Sequence, residues 1–319
     1  MKKRMFLTLL LPIVLLLAGC ATQVSVQRLV PAKYSMADYR ELTVLSVKPY
    51  RFYLDESPSL VVKDLSGSAP FKVLSGYGAF FERDLANHLD KKLREKINRL
   101  DYFTLNENSR QGYLDVEVKR LEADEYIWGK KNTNEDGEEE TLFYLQQKLR
   151  LEVAFSMVDA KSGLTVYSDT YQERQEFSYL LDPEKGPTIY APDLSPILKD
   201  MGERLISELV DSIAPRWETI YLYLMDNKPK IKSLEAAYKA VEEGRLTVAY
   251  DLFLKEYNNS SHLGAGYNAA LILEALQSRD EAIELMERVY RGSASAKVKK
   301  QLERMVRYRQ EQSEAEQQY

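Results

Sequence analysis

The chain has 319 residues, with 44 Lys and Arg against 49 Asp and Glu, a formal charge of −5, and a single cysteine. Mild acidity without long charged blocks argues against a nucleic-acid partner, and one cysteine excludes an intrachain disulfide framework. The length suits about two domains. At the start, Lys2-Lys3-Arg4 precedes an apolar run from Met5 to Leu17 and then Leu17-Ala18-Gly19-Cys20. Charged, hydrophobic and small-residue segments in that order read as a signal peptide, residues 1–19, cut before Cys20. The run contains Pro12 and falls short of the about 20 apolar residues a spanning helix needs. Removing Lys2, Lys3 and Arg4 with it takes the formal charge from −5 to −8.

Leu17 to Cys20 resembles the lipobox of bacterial lipoprotein signals at every position. The resemblance implies diacylglycerol on the Cys20 sulfur and acylation (palmitate-type) of its new amino group, hence durable membrane attachment. Ala21, where an aspartate would act otherwise, resembles the signal for sorting to the outer membrane. Residues 20–40, polar and mixed with Pro31, read as a lipidated tether.

A first domain is expected over residues 41–225. Leu42, Val44, Leu45 and Val47 suit a buried strand; residues 55–76, with Pro58, Gly67, Pro70 and Gly76, read as a loop. From Tyr77 to about Arg99 the spacing predicts a helix with Phe81, Leu85, His88 and Leu89 on one side. Three strands follow on a period of two: one through Leu114, Val116 and Val118, one from Leu149 to Met157, and one from Leu164 to Gln175. They are expected to form an antiparallel meander, with Gly129 to Thr141 an exposed hairpin tip and Asp159-Ala160-Lys161-Ser162-Gly163 a tight turn. After a break from Pro183 to Pro196, Ile197, Met201, Leu205, Leu209 and Ile213 mark a closing helix.

Residues 230–311 read as all-helical, and comparison of this part with itself gives an offset of 33: Ala237 with Ala270, Ala249 with Ala282, Leu252 with Leu285, Tyr257 with Tyr290. Paired helices need stacked neighbours to bury their apolar sides. The segment resembles the tetratricopeptide repeat (TPR) family in Tyr267-Asn268-Ala269-Ala270 and Asp280-Glu281-Ala282-Ile283, without the family's closing proline. That resemblance implies a concave protein-binding groove, for which Tyr238, Tyr267 and Asn268 are the candidate residues. Residues 312–319 read as a frayed polar tail. The fold class expected is therefore α+β, an α/β sandwich-like domain with a mixed or antiparallel sheet, followed by an all-α TPR-like domain.

The order of strand, long helix, antiparallel strands joined through Val158 to Gly163, and closing helix resembles the envelope-lipoprotein domain family that includes CsgG, LpoB and relatives near the amino-terminal domain of TolB. A curli-type pore would need apolar outward positions over about 9 to 11 residues of a hairpin, and the hairpin from Tyr113 to Met157 carries charges through its middle. Chemistry-bearing patterns are sparse. The two histidines, His88 and His262, lie in different segments with no spacing that nominates further metal ligands. No nucleophile elbow, phosphate loop or dinucleotide fingerprint occurs. Asp115 and Glu117 sit on the polar side of a strand, and Asp136 to Glu140 lacks the alternation of a calcium loop. No catalytic residue, cofactor or metal is expected. The expectation is a non-enzymatic, outer-membrane-anchored adaptor or regulator with an envelope protein partner. Two alternatives stand beside it: a CsgG-like oligomeric secretion component, and a glycan-binding or hydrolytic surface protein using the 22 tyrosines.

Overall fold

A computed structural model describes residues 22–50, 61–77, 81–133 and 137–319. Cys20 and the leader lie outside the described residues. The chain divides into an α/β unit, residues 32–215 with 318–319, and a second unit holding residues up to 31 and 216–317. The expected class, an α+β unit plus an all-helical repeat, is what the elements form.

The α/β unit carries a six-stranded mixed sheet. Strand β2 (Glu41–Val44) runs parallel to β5 (Thr104–Leu105) and to β6 (Gly112–Thr133), and the two-residue β3 (Lys63–Asp64) runs parallel to the far part of β6. Strand β6 continues antiparallel into β7 (Glu139–Asp159), which pairs β8 (Thr165–Leu181). The meander is thus present, but its strands are far longer than the sequence periods suggest and run into the segment expected as a tip. Helices α1 (Phe81–Asn98) and α2 (Ser195–Ile213) cover one sheet face. Leu85, Leu89 and Leu93 from α1 and Leu198, Met201, Leu205 and Leu209 from α2 meet Leu114, Val116, Leu151, Val153 and Phe155. A β-carbon on Gly202 would come within 2.5 Å of Leu89, so glycine there sets how closely the helices cross. Beyond this core, Val62, Phe71, Val73, Ile127, Phe143, Leu145 and Leu181 form a smaller one under the short pair β4 (Lys72–Leu74) and β9 (Thr188–Tyr190). The stretches expected as loops, 55–76 and 183–196, therefore contribute the short strands β3, β4 and β9.

The last residues are not a frayed tail. The chain is helical through Gln318, whose side chain accepts from the Ala32 N–H (2.8 Å) and donates to its carbonyl (3.1 Å). Tyr102 donates to the Gln318 carbonyl (2.9 Å), and Arg40 lies 3.7 Å over the Tyr102 ring. Polar composition misleads here because one glutamine can satisfy a buried peptide group at both ends.

The second unit is a stack of helices: α3 (Lys232–Glu242), α4 (Leu246–Ser260), α5 (Leu263–Ala275), α6 (Arg279–Ser293) and α7 (Ala296–Gln318). The 33-residue offset recurs in the backbone. Gly244 and Gln277 turn with φ 72° and 67°, and Ser261 and Ala294 end α4 and α6 in left-handed conformations with φ 54° and 49°. Gly244→Ala should cost about 1 kcal/mol, purely through its backbone, because nothing lies within 4 Å of an added β-carbon; urea unfolding measures it. The stack is joined by a two-stranded ribbon: β1 (Gln23–Val30), expected in the tether, pairs antiparallel with β10 (Arg216–Tyr223), expected at the end of the first domain. Val24 and Val26 point into the helices at 3% and 1% exposure, a period-two signal lost in a short polar segment.

Candidate functional site

Tyr238 and Asn268, expected on an open groove, are brought together inside the helical unit. The Asn268 side chain, fully buried, accepts from the Met225 N–H (2.7 Å) and donates to the Met225 carbonyl and the Tyr238 hydroxyl (both 3.0 Å). Tyr238 also donates to the Met225 carbonyl, and its ring stands edge-on to buried Phe253 at 5.0 Å. Tyr267 is 5% exposed and does not join this bracket; its ring faces the Lys297 ammonium at 5.5 Å. Tyr238 and Asn268 hold the segment after β10 against the repeat.

The reason is that α5 is apolar around its circumference, with Gly264 to Glu274 all buried. Such a helix needs cover on every side, and the chain supplies it. Val24 and Leu224 of the ribbon and Val298 and Met305 of α7 share its core. Gln277 and Arg279 donate to the Gln27 carbonyl at 3.2 and 2.6 Å, and Arg28 pairs with Glu218 (2.5 Å) and Glu311 (2.8 Å). The inner side of the repeat is therefore filled by its own polypeptide, which no helical period in the sequence could announce.

The α/β unit holds the other polar constellations. Glu125 accepts from Ser75 and from Gln147 (2.7 Å), while Tyr77 donates to Glu82. Glu82 Oε2 and Gln147 Oε1 are buried without a hydrogen bond among the described residues. An open cleft of about 490 Å³ lies at the end of β2, lined by Thr43, Ser46, Arg94, Asn98, Asn106 and Glu107; Arg94 is engaged by Asp90 (2.9 Å) and the Val44 carbonyl (2.7 Å). His88 meets Glu203 at 2.8 Å, and His262 caps α5 by accepting from the Ala265 N–H at 3.1 Å. Asp115 pairs with Lys48 at 2.6 Å. No group of three or more metal-ligating side chains occurs among the described residues.

Among the carboxylates of this unit held below their ordinary range are Asp169, Glu173 and Glu203. Asp169 is lowered mainly by its hydrogen bond from Lys33 (2.5 Å), Glu173 by Arg204 (2.6 Å) and Glu203 by His88, with Lys92 adding to it. A depressed carboxylate contributes stability above its unfolded value and loses it as pH falls through the folded one. The urea midpoint of the protein should therefore drop as pH falls below about 4.5, the ordinary Glu value, and on through the Asp value of 3.8. Asp169→Asn together with Glu173→Gln should flatten that slope.

Strand β8 is the widest unpaired feature. It ends the sheet, and no described strand pairs its outer edge. Its 17 residues span about 55 Å, with alternate backbone N–H and C=O groups directed outward. On one face Asp169 and Glu173 are tied back to Lys33, Tyr34 and Arg204.

No protein-family model matches the chain, and no curated protein matches it. Among solved structures it is similar to a Xanthomonas campestris protein of the DUF330 family at 12% identity, covering 54% of this chain and 81% of that one with a TM-score of 0.30. It is similar to a minor lipoprotein from Acinetobacter baumannii at 12% identity, covering 55% and 90% with a TM-score of 0.28. A putative neuraminyllactose-binding hemagglutinin homolog from Helicobacter pylori matches at 9% identity over 65% and 91%, with a TM-score of 0.30. These superpositions are loose, and no role passes from them to this chain. No described helix is long and apolar enough to cross a membrane.

Proposed function

We propose that this chain is an outer-membrane-anchored lipoprotein of the bacterial envelope. In this reading it works without catalysis of its own, as an adaptor or regulator that holds an envelope protein partner. The α/β unit is read as a CsgG/LpoB/TolB-like lipoprotein domain and the stack as a TPR-like repeat. Leu17 to Cys20 supports the anchor. The observation that carries the binding is the outer edge of β8, 17 residues without a strand partner among the described residues. Long open edges invite an added strand, whose main-chain hydrogen bonds supply affinity and whose side chains supply choice. The buried placement of Tyr238, Tyr267 and Asn268 moves the expected docking surface from the repeat to this edge.

Chemical crosslinking of intact cells, followed by capture of the chain, tests this. A specific envelope protein should be recovered, and hydrogen exchange on the captured pair should slow at the outward amides of β8, which exchange fast in the free protein. Slow exchange at the outward β8 amides in the free monomer, or a partner that leaves those amides unprotected, would refute the edge as the docking surface. A large ring of copies on size measurement, with β8 protected in it, would favour the oligomeric secretion reading instead.

A further inference from the structure

The β1–β10 ribbon has two unlike faces. Val24, Val26 and Leu222 face the helical core, while the other face exposes Trp217 (59%), Tyr221 (62%) and Tyr223 (62%). Tyr221 stands opposite Ser25 and Tyr223 opposite Gln23, both exposed, so no large side chain on β1 shelters these two rings, while Trp217 stands opposite Leu29, itself 5% exposed. Three large aromatics on one outward face contribute little to the core; their chemistry, apolar rings with a polar O–H or N–H, suits a boundary between water and an apolar phase.

The ribbon also lies next to the proposed anchor. The Leu224 N–H donates to the Thr22 carbonyl at 2.9 Å, so the ladder continues to within two residues of Cys20. Consecutive Cα atoms 3.8 Å apart place the Cys20 Cα within about 8 Å of that of Thr22. Acyl chains on Cys20 would therefore enter a bilayer beside Tyr223. Tyr and Trp favour the headgroup layer of a membrane. Trp217 is six positions along the strand from Tyr223, roughly 20 Å, so all three rings reach a flat surface only when the ribbon lies along it.

We propose that the β1–β10 ribbon lies on the lipid surface, with Tyr223, Tyr221 and Trp217 seated in the headgroup layer and the helical unit thereby oriented on the bilayer. This rests on the reading that Cys20 is acylated.

The chain has two tryptophans, so Trp128→Phe leaves Trp217 as the sole reporter. The mature acylated protein carrying that change is placed in vesicles of phosphatidylethanolamine and phosphatidylglycerol, with and without brominated acyl chains. Trp217 emission should shift to the blue, lose intensity with the brominated lipid, and be shielded from aqueous iodide. Tyr221→Ser with Tyr223→Ser should restore iodide quenching while leaving the thermal transition in place. Iodide quenching without bromolipid quenching, on protein whose acyl groups mass spectrometry has confirmed, overturns the proposal. So does shielding from both quenchers in a particle of dimer size, which would assign the face to a second copy. A free thiol at Cys20 in protein from its host overturns the anchor reading itself, and this one with it.

Discussion

Glu274→Ala should lower the unfolding free energy by about 3–5 kcal/mol, because it strands a buried guanidinium. Glu274 and Arg304 pair with side-chain exposures of only 5% and 13%, and Arg304 Nη1 has no hydrogen-bond partner among the described residues. The other contacts of Arg304, the Gln301 side-chain amide, whose oxygen accepts from Nε at 2.9 Å, and the Tyr308 ring centre at 4.8 Å, are neutral and too weak to offset an unpaired buried charge. The pair itself is a different matter, since desolvating two charges cancels much of their attraction. Glu274→Leu with Arg304→Met should therefore recover stability to within about 1 kcal/mol of the parent. Urea unfolding of the two single variants and the double, followed through Trp217 emission in a Trp128→Phe background, measures the coupling. A double variant as unstable as the sum of the singles would mean that the two side chains are not coupled, and that this account of α5 and α7 is wrong.

Asn268→Ala should cost about 3 kcal/mol, because it leaves the Met225 N–H without an acceptor and removes a donor from the Met225 carbonyl and the Tyr238 hydroxyl. Asn268→Asp separates the two halves of that effect. Its carboxylate still accepts from Met225, but the second oxygen would face a carbonyl and a hydroxyl, a position that only the protonated acid satisfies. Burial raises the acid's folded pKa, so the variant should approach the parent at low pH and lose stability as pH rises through that value. Unfolding midpoints at several pH values, each set against the parent's own acid loss, decide it. A pH-independent difference would place Asn268 outside the bracket.

Tyr238 and Asn268 also show where a motif misleads. An asparagine and tyrosines at helix positions read equally well as a groove or as an internal clasp. The difference depends on whether another segment covers the helix. Composition carried a hint: Gly264 to Glu274 contains one charge and no polar stripe, which already describes a helix without a free side. His262 is comparable, since its position before α5 allows a cap, but only the structure shows Nδ1 accepting from Ala265.

Taken alone, the sequence determined the leader pattern, the types of the long elements, the 33-residue helical period and the antiparallel meander. All of these are written in neighbours two, three or four positions apart, or in repeated local units. Only the tertiary structure decided which surfaces those elements share. It set β1 against β10, with Arg28 reaching Glu218 190 positions away, filled the inside of the repeat with the ribbon and α7, returned Gln318 to Ala32, and left β8 open at the sheet edge. A strand's local pattern says which face it buries. Its partner is chosen by whatever apolar surface and unpaired backbone remain once the whole chain has collapsed.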